Sequence, residues 1–170
     1  HFIEAHREAV RWGMKIFGAK FAQAADITIS SAYPSDYDLT QADKGLFSAE
    51  IATKPKGEII LLSPCYEGIA PTHGKEIARL AKYDDATLFK MLEDNVIEDR
   101  FGASECMYLN HIKRNFKATL TMDPILTNLL GFHYLNIDDL QEYLGKRINL
   151  DNDIQIGIVH NSSEVLPVQK

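Results

Sequence analysis

Apolar residues at Phe2, Ala5, Ala9, Trp12, Met14 and Ile16 recur at near-helical spacing, which predicts an amphipathic helix over 2–17 stopped by Gly18. Trp12, in register with Ala5 and Ala9, is expected to anchor that helix in a core. The pattern then changes period. Asp26-Ile27-Thr28-Ile29-Ser30-Ser31 is β-branched and alternating, the signature of a strand, and it runs into a polar loop, Ala32–Asp38, punctuated by Pro34. Asp38 is placed to cap a helix over 40–53 that turns Ala42, Leu46, Ala49 and Ile51 inward. Lys54-Pro55-Lys56-Gly57 closes it. The strand Glu58–Ser63 follows and reads as buried on both faces, and a loop over 64–74 comes next. Strand, helix and strand in this order form a βαβ crossover with parallel strands.

Helical patterns continue over 75–82, 86–97 (capped by Asp84 or Asp85) and 103–114, with a strand at Lys117–Thr121. Asp123-Pro124 opens a short helix, Asp138-Asp139 opens another that ends at Arg147, and Asp153–His160 is a last strand. No repeat, linker or low-complexity tract interrupts the chain. The expected fold class is α/β: three layers, a mostly parallel or mixed central sheet with helices on both faces, in one domain over 1–170 with residues 1–20 as a lead-in helix.

Composition narrows the function. With 18 basic against 24 acidic residues and a net charge of −6, the chain lacks the basic face that nucleic-acid binding requires. No apolar run has the length of a membrane span. The first 18 residues carry charges throughout and contain no signal-peptide core. Cys65 and Cys106 are far apart and form no CxxC pair, which fits a reduced, cytoplasmic chain. The start without Met, inside a helical pattern, is expected of a piece of a longer protein.

In open α/β sheets ligands gather at the carboxyl ends of the strands, here the loops 32–41 and 64–74, which adjacent parallel strands would set side by side as one rim. Gln41 and Lys44, three apart, share a face in the first turn of the helix after the first loop, an arrangement suited to a carboxylate. From spacing alone the same two residues read first as solvated surface side chains. Cys65 and Glu67 bring a thiol and a carboxylate to the rim. Cys65 reads as structural, since a nucleophile needs a base, and His73, the nearest, completes no recognisable Cys/His signature. The six histidines show no metal-ligand spacing, and neither GxGxxG nor GxxxxGK[ST] occurs.

The run from Ala25 to Ile69 resembles the carboxyl-terminal domain of the nickel-pincer lactate racemase family. The likeness rests on Tyr33-Pro34, on Gln41-Ala42-Asp43-Lys44, on Gly57 followed by Ile59–Leu62, and on Cys65-Tyr66-Glu67-Gly68. The opening Ile3–Val10 and the close, with strand 154–160 and Val165-Leu166-Pro167-Val168, are similar to the family's pattern as well. The resemblance implies a two-domain α/β enzyme that racemises or epimerises 2-hydroxy acids. Its nickel pincer nucleotide and acid/base histidines would lie in an amino-terminal domain outside these residues. It implies that Lys44 meets the substrate carboxylate with Gln41 beside it, that Tyr33, Thr40, Cys65, Glu67 and Gly68 lie close to substrate or cofactor, and that this chain holds no metal or cofactor of its own.

Departures from the family pattern are Ser31-Ala32 in place of Gly-Gly, Thr40 in place of Tyr, and no Trp around Ser104–Met107. They imply a 2-hydroxy acid other than lactate, larger or more polar. The expected partners are the amino-terminal domain and the small hydroxy acid, with no nucleic acid and no membrane, and residual apolar surface would allow a homodimer. The alternative reading is a stand-alone carboxylate-binding or interaction domain that keeps the fold without the chemistry.

Overall fold

A computed structural model describes residues 1–169. Helix α1 (Phe2–Phe17) leads into β1 (Gly18–Phe21) and then β2 (Ala25–Ser31). Two helical segments, α2 (Leu39–Ala42) and α3 (Lys44–Ala52), meet at Asp43 and pass into β3 (Thr53–Leu62). There follow α4 (Gly74–Leu80), α5 (Asp85–Glu93), α6 (Arg100–Asn115), β4 (Lys117–Leu120) and α7 (Pro124–Leu129). The chain ends with β5 (His133–Tyr134), α8 (Leu140–Leu150), β6 (Ile156–Val159) and β7 (Leu166–Gln169).

Five strands form a wholly parallel sheet in the order β5-β4-β3-β2-β6. The middle strand carries Ile59, Ile60 and Leu61, each at most 1% exposed, because successive side chains enter opposite layers and both layers are apolar. Ile59 and Leu61 join the larger core with Leu39, Leu46, Ile77, Leu80, Leu109 and Ile112 from α2, α3, α4 and α6. Ile60 joins Ile27 and Ile29 in the smaller core on the other face, under Leu140, Tyr143 and Leu144 of α8. Helices thus cover both faces, as the three-layer reading expects. Tyr143 also ties α8 to the sheet by donating its hydroxyl proton to the buried Glu58.

Four expectations are corrected. The stretch 54–57 belongs to β3, which starts at Thr53 and closes no helix. Gly18–Phe21 and Leu166–Gln169 form a separate two-stranded parallel sheet, paired Gly18 with Leu166 and Phe21 with Gln169. No residue of α1 is buried, and Trp12 is 55% exposed, because the apolar stripe of α1 meets no apolar surface among the described residues. Ile51 faces out at 44% exposure, since the tightened turn at Asp43 and the packing of Leu46 and Ala49 direct the buried face of α3 away from it.

Candidate functional site

The rim is built where β2, β3 and β4 end. The loop after β2 and the loop after β3 run against each other as hydrogen-bonded partners. The Cys65 N–H donates to the Asp36 carbonyl at 3.0 Å and the Glu67 N–H to the Tyr37 carbonyl at 2.8 Å. Thr121, just past the end of β4, has a hydroxyl that accepts the Ser63 N–H at 3.1 Å. Two residues of the second loop adopt left-handed backbone, Cys65 at φ 44° and Gly68 at φ 84°, and this reverses the chain so that its carbonyls face the start of α2.

That reversal determines what the helix start can offer a ligand. The Leu39 N–H donates to the Gly68 carbonyl at 3.1 Å and the Thr40 N–H to the Ile69 carbonyl at 3.2 Å. Asp38, 3% exposed, takes the Gln41 N–H at 3.0 Å and the Thr40 hydroxyl at 2.7 Å. The first-turn amides are therefore spent inside the protein, and the helix terminus itself offers none of them to an anion. Side chains alone remain for that role. Lys44 and Gln41 do share a face: the Lys44 ammonium donates to Gln41 Oε1 at 2.5 Å. Lys44 is exposed and forms no salt bridge among the described residues, so its charge is open to an anionic partner.

Beneath this pair lie groups that sequence reasoning missed. Asp43, at the junction of α2 and α3, and Glu105, on α6, are 5% and 7% exposed and hydrogen-bond to each other. Burial pushes both carboxyls above the ordinary carboxylate range, and the Asp43 charge raises Glu105 further. Glu105 Oε1 and the Tyr108 hydroxyl are buried without a hydrogen-bond partner. The Tyr108 ring stacks on Phe47 with centroids 4.0 Å apart, which closes the apolar side of the cluster. Asp43 stands inside the Gln-x-x-Lys run, but nothing local marks its partner on α6. An acidic residue on an otherwise buried helix face was the one available signal.

The remaining expected site residues separate. Tyr33 and Glu67 are exposed on the rim, and Thr40 is half-buried with its hydroxyl committed to Asp38. Gly68 sits in the turn that feeds the helix start. Cys65 is 4% exposed with Sγ 3.1 Å from the Ser63 hydroxyl, and burial pushes its thiol up to about 11, the environment of an inert structural cysteine. His73 pairs through Nδ1 with Asp99 at 2.8 Å and so orients toward α6 rather than Cys65. Among the described residues no three His, Cys, Asp or Glu side chains converge as metal donors, and no helix is long and apolar enough to cross a membrane.

Comparisons with known proteins agree with this architecture. The family model for the lactate racemase C-terminal domain matches residues 21–155. Among solved structures, the chain is similar to the lactate racemase apoprotein of Thermoanaerobacterium thermosaccharolyticum, with 25% identity and a TM-score of 0.76 over 96% of this chain and 40% of that one. It therefore spans well under half of that relative's length. A protein of Thermotoga maritima shares the fold at 12% identity and a TM-score of 0.70, over 99% of this chain and 43% of its own. No curated protein sequence matches the chain.

Proposed function

Because the chain belongs to the lactate racemase C-terminal domain family, we propose that it forms the substrate-facing wall of a 2-hydroxy acid racemase or epimerase. In this reading Lys44 holds the substrate carboxylate and Gln41 orients it. The supporting observation is the exposed Lys44 ammonium, in no salt bridge among the described residues and fixed to Gln41 at the carboxyl end of the parallel sheet. A lysine ammonium aimed at a carboxylate gives a charge-assisted contact, and the paired amide limits where that carboxylate can sit.

The acid/base chemistry and the cofactor come, in this proposal, from an amino-terminal domain of the longer protein. The donors of this chain do not fit a nickel centre, since no three metal-ligating side chains converge among the described residues. The nickel pincer nucleotide is thus assigned to the other domain and no step is routed through it here. The exposed stripe of α1, including Phe2, Trp12, Ile16 and Phe17, supports a packed neighbour on that side, and the amino-terminal domain is the neighbour we assign to it. The cytoplasm is the compartment that fits two buried free thiols.

The substrate is proposed to be a 2-hydroxy acid larger or more polar than lactate. Thr40 offers less bulk than an aromatic, and its hydroxyl is already held by Asp38. The test is to load the full natural-length protein with its cofactor and offer enantiopure 2-hydroxy acids one at a time, following optical rotation. Loss of rotation with one acid supports the proposal. Intact rotation with every acid, in protein that carries stoichiometric nickel, rejects the racemase reading and favours a carboxylate-binding domain without turnover.

A further inference from the structure

The pair Asp43 and Glu105 has no role in the contacts described so far. Both side chains are more than nine-tenths buried and face each other, and no salt bridge reaches either among the described residues. The nearest ammonium, that of Lys44, is turned outward to Gln41. Glu105 Oε1 has no donor, and the buried Asp38 already accepts two hydrogen bonds through Oδ1 as a helix cap. Two buried carboxyls in contact cannot both ionise at modest energetic cost, because no salt bridge reaches either among the described residues and Lys44, beside Asp43, offsets only part of their charge.

We propose that Asp43 and Glu105 share one proton, which rests on Glu105 and is donated to Asp43, and that this shared proton is a positioning device for Lys44. The inference rests on the reading of Lys44 as the carboxylate contact. Asp43 is the residue before Lys44 and its carbonyl accepts the Leu46 N–H at 2.7 Å and the Phe47 N–H at 3.2 Å, so the bond to Glu105 pins the turn from which Lys44 projects. The proton also sets the local charge. With one proton on the pair, Lys44 stands over one negative charge from it, plus that of Asp38. With none, it stands over two plus Asp38, and the rim turns against an anion.

The other titratable groups that face the pair do not blur this effect. Cys65 from the β3 loop and Cys106 and Tyr108 from α6 are held neutral by burial well above neutral pH. Among these groups the charge that changes across the neutral and mildly alkaline range is that of the pair itself.

The experiment uses the full natural-length protein. Carboxyl-carbon NMR titration should find one member of the pair protonated at neutral pH. Titration of both within the ordinary acidic range overturns the proposal. Glycerate, a 2-hydroxy acid more polar than lactate, is then titrated while the Lys44 and Gln41 signals are followed. Its affinity should weaken about threefold between about pH 6 and about pH 9.5, still below the ordinary lysine value. Glu105→Gln, which donates the same hydrogen bond without a titratable proton, should abolish that pH dependence and keep the neutral-pH affinity. A wild-type profile in Glu105→Gln, or a flat one in the wild type, overturns the positioning role. A shared proton without glycerate binding at any pH rejects Lys44 as the carboxylate contact and the positioning role with it, so the two failures are distinguishable.

Discussion

Removing the Asp38 carboxylate by Asp38→Ala takes away the acceptor of the Gln41 N–H and the Thr40 hydroxyl in one step. Loss of a helix cap costs about 1–2 kcal/mol, and the urea midpoint should fall accordingly with little change in slope. Thr40 should also lose its fixed rotamer, since its hydroxyl has that one acceptor. At this scale the sequence was legible where the partner is near in the chain. Asp38 as a cap and Gln41 beside Lys44 follow from spacings of three residues, which the helix converts directly into contact. The Asp43–Glu105 bond joins residues on different elements, and no local pattern encodes it. The same holds for His73, which finds Asp99 on the far side of α5 rather than the thiol closer to it in sequence.

Among the elements, α3 and β2 show how tightly the rim is supported from behind. The Ser30 hydroxyl donates to the Gly45 carbonyl at 2.8 Å, and Ser48 donates to the carbonyls of Ser162 and Val165. A Cβ on Gly45 would lie 2.7 Å from Ser162 Oγ and 2.8 Å from Leu61 Cδ1, so the helix approaches the sheet only because that position is bare. Gly45→Ala should therefore destabilise by about 1–3 kcal/mol, as overpacking does, read as a lower midpoint in urea. Elements with strong apolar patterns, β2, β3 and the helices of the larger core, were legible because burial on one or both faces dictates their composition. β1 and β7 were not. Each is four residues long and only partly buried, and they pair with each other from opposite ends of the chain. Trp12 misled for a related reason: helical periodicity identifies an apolar face but not what it packs against.

For the molecule as a whole, the buried carboxyl pair makes stability depend on pH in a defined direction. Glu105 is raised from an ordinary 4.5 to about 9, so the folded chain binds its proton more tightly than the unfolded chain does. That contribution is fully present below about pH 4.5 and is lost as pH rises through about 9. Thermal midpoints should decline across this window in the wild type and decline less in Glu105→Gln. The sheet carries Lys44 and Gln41 on a rigid rim, and the family match over residues 21–155 supports assigning that rim to a substrate carboxylate. The most direct test is steady-state kinetics of the cofactor-loaded, full natural-length protein on its 2-hydroxy acid, wild type against Lys44→Ala. A lost charge-assisted contact predicts that kcat/KM falls about a hundredfold in the variant. Equal kcat/KM in the two proteins would contradict the assignment of Lys44 to the substrate.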